Sequence, residues 1–268
     1  MKEHFKKIVK LATLPLLKLS DVSIDKEKGI KNSLLTDVGT KNGSAREIWL
    51  ENALKKIPPG SKILDAGAGE CQYKRFCPHL EYVSQDFAQY DGKGNSEGLQ
   101  MDNWDNLKLD IVSDIVSIPV PDNSFDAIMC IEVFEHIPEP AKAVKEFSRI
   151  LKPGGKLILT APFCSLNHFA PYYFANGYSK YWYEKILPEY GFSIKETEFN
   201  GNFFEYLAQE IRRVAKVQST YTKLNLTKNI LFRLSKLHFL RTLDKLSKAG
   251  QKSEELLCFG IHVLAEKK

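Results

Sequence analysis

Asp65-Ala66-Gly67-Ala68-Gly69-Glu70 places two glycines two positions apart, directly after the apolar run Lys62–Asp65. Glycine reaches backbone conformations closed to other residues and carries no Cβ, so such a turn lets the chain approach a ligand closely. A dinucleotide-binding turn has a third small residue at its sixth position, and Gln72 stands there instead. That argues against a pyrophosphate seated on a helix N-terminus, and so against NAD. Acids then recur at the ends of apolar runs. Asp86 ends the next run, where a carboxylate can accept two hydrogen bonds from ribose hydroxyls. Asp114, followed by Ile115, offers an acceptor to an adenine amino group and a backbone N–H to a ring nitrogen. With Asp65 beside the turn, this lining suits a cofactor with a cationic amino group and repels a bis-phosphate. Any one acid reads equally well as a cap or surface residue; the glycine turn and three acids in this order do not.

His136 and His168 are candidate general bases, because imidazole exchanges protons near neutral pH. His136 also reads as a structural hydrogen bond at a helix entry, and His168 as a substrate contact. Phe163–Phe192 holds eleven of the chain's thirty aromatic residues. Aromatic faces with phenol hydroxyls suit an acceptor with apolar faces and polar edges, such as a sugar or a quinone ring. Tyr172, Tyr173 and Tyr178 are the candidates for that pocket; about half of the eleven, notably Tyr183 and Phe192, read as helix packing. No metal is expected. Glu132 and Glu135 are the only oxygen donors read at the relevant strand ends, and hard cations usually want more. The five cysteines are scattered without a Cys-x-x-Cys pair, as in a reducing compartment.

These residues need a frame that brings strand ends together. Strands are expected at 62–65, 82–86, 109–112, 125–132, 156–160, 192–198 and 258–265. Helical patterns fill 45–57, 71–77, 140–151 and 179–190. Alternating strands and helices imply an α/β fold with a mainly parallel sheet covered on both faces, whose ligands bind beyond the carboxyl ends of the strands.

The text ILDAGAGE (63–70), Asp86, Asp114-Ile115 and the block from Pro121 to Phe163 containing EVFEH and LKPGG resembles the class I S-adenosylmethionine-dependent methyltransferases. The resemblance is greatest to the branch of the ubiquinone- and menaquinone-biosynthesis enzymes, and it spans roughly 62–163 with Tyr190-Gly191-Phe192. It implies a Rossmann-like seven-stranded sheet with the last strand antiparallel, and S-adenosyl-L-methionine as cofactor. It carries over Asp65, Gly67 and Gly69 as methionine-side contacts, Asp86 as ribose ligand, Asp114 and Ile115 as adenine ligands, and Ile131 and Glu132 as cofactor neighbours. The expected reaction is O-methylation of a glycan or lipid-linked small molecule. Methylation of a soluble quinone-type molecule, or a non-catalytic module that keeps the fold, is the alternative. The intact acids and glycines favour an enzyme. Cys130-Ile131-Glu132-Val133 stands where enzymes acting on planar amino nitrogens carry Asn/Asp-Pro-Pro-Tyr, which argues against nucleic-acid methylation.

The chain has 268 residues and a net charge of +5, unevenly placed. Arg212–Lys248 carries ten Lys/Arg against one acid, Asp244, and the first eighteen residues carry five lysines against Glu3. Residues 1–45 read as an amphipathic helical lead, and 46–268 as the methyltransferase domain with a basic helical insertion at about 202–252. Leu231, Leu234, Leu237, Leu240 and Leu243, spaced by three, drift around a 3.6-residue helix and are expected on two short helices. Both basic segments read either as a cap on the domain or as contacts to an anionic membrane surface, near the acceptor pocket. Nucleic acid is not expected, because phosphates offer leucines no partner surface. The early apolar run Leu11–Leu17 is broken by Thr13 and Pro15 and reads neither as a membrane span nor as a secretory signal. The expected location is cytoplasmic, peripheral at the inner membrane face if the basic segments touch lipid.

Overall fold

A computed structural model describes residues 36–105, 109–224, 226 and 229–268. The N-terminal basic segment lies outside them. Seven strands form one sheet in the order β3-β2-β1-β4-β5-β7-β6. They are β1 (Lys62–Ala66), β2 (Glu81–Asp86), β3 (Ile111–Val112), β4 (Phe125–Ile131), β5 (Leu151–Pro162), β6 (Phe192–Asn200) and β7 (Gly260–Lys267). β1 to β5 pair in parallel, and β7 runs antiparallel between β5 and β6. This is the doubly wound sheet expected from the sequence, with its last strand reversed.

Period-two alternation sorts the strands' side chains between two cores. Leu64, Ile128 and Cys130 face one cluster; Ile63, Ala127 and Met129 face the other. On the first face pack α2 (Pro140–Ile150), through Val144 and Phe147, and α3 (Lys180–Glu189), through Tyr183 and Leu187. On the second packs α1 (Asn42–Leu54), whose Trp49, Leu50, Ala53 and Leu54 recur at helical spacing. Pro140 starts α2, where its missing N–H costs nothing.

Two long helices, α4 (Phe203–Tyr221) and α5 (Ile230–Ala249), join β6 to β7. The side chains of Asn202 and Asn229 cap them by accepting two backbone N–H groups each. The expectation of two short helices for the leucine stripe is corrected here. Leu231 to Leu243 all lie on α5, and the drift instead divides them between burial and solvent: Leu240 and Leu243 pack with Val38 and Ala208, whereas Leu231 is 71% exposed. The helix expected at 71–77 is also absent; turns and a short 3-10 segment, Lys74–Phe76, replace it.

Candidate active site

The carboxyl ends of β1, β2, β4 and β5 converge on a cavity of about 970 Å³. The glycine turn forms part of its wall. Gly67 and Gly69 have φ of +76° and +50°. The amides of Gly67 and Ala68 both donate to the Gln85 carbonyl at 2.8 Å, and the Gly69 amide donates to the Asp86 carboxylate at 2.9 Å. A Cβ on Gly67 would stand 2.6 Å from both Val133 methyls, and one on Gly69 would stand 2.6 Å from the Trp104 ring. The glycines therefore admit two side chains of the cavity wall as well as any ligand.

One end of the cavity is polar. The other Asp86 oxygen accepts from the Ala88 amide at 2.9 Å, so each carboxylate oxygen holds one backbone donor and keeps a further acceptor site. Asp114 is exposed at the rim, with Ile115 buried beside it. Gln85 Oε1 and Ser113 Oγ are buried without hydrogen-bond partners among the described residues, and both residues line the cavity. Ile131 and Glu132 line it from the end of β4. Glu132 sits in a left-handed conformation (φ +57°). Its carboxylate accepts from Thr160 Oγ1 at 2.9 Å and pairs with Arg46 of α1 at 2.8 Å. Asp65 is not part of the lining. It is buried 1% exposed, accepts from the Tyr82 hydroxyl at 2.6 Å, and burial pushes its carboxyl up to about 7.

The other end is aromatic and imidazole-rich. Tyr90 stacks on Phe169 at 4.5 Å, Trp104 meets Phe169 edge-on, and Phe169 stacks on His136 at 5.1 Å. His136 and His168 touch, with ring centroids 4.7 Å apart. His136 Nδ1 lies 2.5 Å from the Tyr172 carbonyl oxygen and His168 Nδ1 lies 2.8 Å from that of Leu166. A carbonyl only accepts, so each Nδ1 carries the hydrogen and each neutral ring presents a bare Nε2. Burial, then the neighbouring His168, lowers His136 to about 4; burial also lowers His168. Beneath them Glu135 is buried, and burial, then Glu132, raises its carboxyl well above the ordinary range. Tyr172 lines this end. Tyr173 and Tyr178 do not: the Tyr173 hydroxyl donates to the Ser165 carbonyl at 2.7 Å, and Tyr178 belongs to the core, donating to the Phe134 carbonyl at 3.0 Å.

A family described as a methyltransferase domain matches residues 64–159, the stretch from β1 into β5 that supplies the glycine turn and the polar end of this cavity. The ubiquinone/menaquinone biosynthesis C-methyltransferase of Rickettsia akari is 26% identical over 71% of this chain and 80% of its own length. Residues 64–159 form a methyltransferase domain of the class I S-adenosylmethionine-dependent type.

Cycloartenol-C-24-methyltransferase 1 of rice is 31% identical to this methyltransferase over 43% of the chain, a match spanning about a third (34%) of the rice protein. The crystal structure of an S-adenosylmethionine-dependent methyltransferase from Archaeoglobus fulgidus shares the fold, with a TM-score of 0.51 at 16% identity over 84% of this chain and 94% of that one. S-adenosyl-L-methionine is the cofactor, and the polar end of the cavity fits it. Its unpartnered acceptors on Gln85 and Ser113, with Asp86 and Asp114, match a ligand rich in hydroxyl and amino donors. Sequence reasoning missed Tyr90, Trp104 and Arg46. The first two lie in a stretch without periodicity, and Arg46 shows only as one charge on a helix. Glu135 was noted as a carboxylate, but its burial against two imidazoles has no local signal.

Proposed function

We propose that the protein methylates a hydroxyl oxygen of a small molecule with an apolar or ring-shaped face, as in a lipid-linked or glycan acceptor. S-adenosyl-L-methionine supplies a methyl group already activated on a sulfonium. What remains for the chain is placement, exclusion of water and removal of the hydroxyl proton. Asp86, with Asp114, Ile115 and Ile131, would hold the cofactor at the polar end. Tyr90, Trp104 and Phe169 would seat the acceptor's flat face. The observation that carries the oxygen reading is the pair of Nε2 lone pairs of His136 and His168 at the same cavity, each fixed by its Nδ1 hydrogen bond. A hydroxyl proton needs such an acceptor; an activated ring carbon needs it less. The second reading is methylation of a quinone-type ring carbon, in line with the Rickettsia enzyme's name, and the same aromatic wall supports it. Incubation with methyl-labelled cofactor and lipid, glycan and protein fractions tests both. Label on oxygen in a lipid or glycan fraction is expected. Label on carbon, or in protein alone, would sink the oxygen reading.

We further infer that α4 and α5 draw the enzyme to anionic membranes. Ile230 and Phe239 are exposed on α5, and Arg213 and Lys216 of α4 reach the cavity lining. Apolar and basic side chains on the same helix pair suit a lipid surface. Among the described residues no helix is long and apolar enough to cross a membrane. Vesicle sedimentation at low salt should show binding to anionic and not to neutral vesicles. Equal binding, or none, returns these helices to the role of a packed cap.

A further inference from the structure

Glu135, His136 and His168 bring one carboxylate oxygen and two ring nitrogens within 4.8 Å of one another, all on the cavity wall. His136 Nε2 lies 3.7 Å and His168 Nε2 3.8 Å from Glu135 Oε1. These separations are too long for hydrogen bonds. Both imidazoles have committed Nδ1 to backbone carbonyls, so in their neutral form the atoms facing Glu135 are bare lone pairs. The carboxylate is 1% exposed, and its Oε2 has no hydrogen-bond partner among the described residues. Two ring nitrogens and a buried carboxyl group thus face one another with no hydrogen bond among them. A buried arrangement of that kind is unfavourable unless something positive sits among them.

We propose that these three residues bind a divalent transition cation, zinc or its neighbours, on the acceptor side of the cavity. Two imidazoles and one carboxylate form a donor set suited to zinc, cobalt, nickel or ferrous iron, and poorly suited to magnesium or calcium. Zinc holds such atoms at about 2 Å, which spaces neighbouring ligands by roughly 3.3 Å, so side-chain rotations of about an ångström close the site. The orienting contacts are in place. The two carbonyls fix the ring tautomers, as outer partners do in metal sites. Phe169 stacks on His136, and the amide of Phe174 donates to the Glu135 carbonyl at 2.8 Å, tying the loop after β5 to the turn after β4. Glu132 is excluded as a fourth ligand by its bonds to Arg46 and Thr160, which leaves positions open toward the cavity. The expectation of no metal counted carboxylates alone and did not foresee two imidazoles beside Glu135.

This deepens, and rests on, the reading of this end as the acceptor site. A hydroxyl drawn to the cation's open face loses its proton more readily. The proton passes to a cavity water, the C–O bond forms as the methyl–sulfur bond breaks, and a neutral thioether leaves. With the cation bound, the imidazoles would position the hydroxyl through it, and the cation would take over the proton-loosening role that their Nε2 atoms fill without it.

The test uses the full chain, stripped with chelator, dialysed, and titrated with Co²⁺ followed by its visible absorption and with Zn²⁺ by calorimetry. One equivalent per chain is expected, with the absorption of a nitrogen-ligated, open site. His136→Ala and His168→Ala should each weaken binding at least about tenfold, with circular dichroism confirming the fold. If Glu135→Gln unfolds, the two histidine variants still decide. No saturable binding to wild-type protein, or unchanged affinity in both folded histidine variants, overturns the site. No acceptor is present in the titration, so a failed search for a methylated product bears on the proposed function and not on the cation.

Discussion

The Gly69 amide donates to the Asp86 carboxylate at 2.9 Å, so the end of β2 holds the turn that follows β1. Asp86 therefore braces the glycine turn and faces the cavity with the same group. Asp86→Ala should weaken binding of the demethylated cofactor by about 1.5–3 kcal/mol, the range for hydrogen bonds to a charged group. Calorimetry with S-adenosylhomocysteine measures it. Unchanged affinity combined with a lower melting temperature would leave Asp86 as a brace only.

Gly69→Ala should disturb the wall more than the turn. The added Cβ meets the Trp104 ring at 2.6 Å, in a conformation (φ +50°) that alanine adopts at a cost. A loss of about 1–3 kcal/mol in stability is expected. A shift in tryptophan emission should accompany it as Trp104 moves toward solvent. An unshifted spectrum would show that the backbone yields instead.

Asp65 makes stability fall as pH rises. In the folded protein its buried carboxyl keeps its proton up to about pH 7, whereas the ordinary value is 3.8. Between these values the folded state binds the extra proton, so this stabilising contribution is complete at low pH and lost as pH climbs through the folded value. The shift corresponds to about 4 kcal/mol. Asp65→Asn, which still accepts from Tyr82, should flatten the stability profile from about pH 4 to 7. Urea melts across that range check it; a wild-type profile that rises toward pH 7 as steeply as the variant's would refute it.

Arg46 and Glu132 should be coupled. Their 2.8 Å pair sits at the cavity wall with most of both side chains covered. Arg46→Met leaves Glu132 with only Thr160 and should cost about 3 kcal/mol. Adding Glu132→Gln should restore part of that loss. A double-mutant cycle by denaturant unfolding gives the interaction energy, and strict additivity would mean the pair contributes nothing.

What the sequence determined by itself is what local rules encode. The seven strands follow from short apolar runs bounded by Gly and Pro, and the left-handed turn at Gly67 and Gly69 follows from glycine's freedom of φ. The spacing of Asp86 and of Asp114-Ile115 placed them at strand ends because a parallel sheet brings those ends to one edge. What only the tertiary structure decided depends on which loops meet. Tyr172, Tyr173 and Tyr178 share one aromatic stretch, yet the backbone path turns Tyr172 into the cavity, Tyr173 onto Ser165 and Tyr178 into the core. Asp65 looks like part of the cofactor turn, but the alternation along β1 sends its side chain to Tyr82. His136 and His168 lie on separate loops after β4 and β5, and no periodicity relates them. Their meeting over Glu135 follows from the pairing of those two strands, a contact between distant segments that neither segment specifies alone.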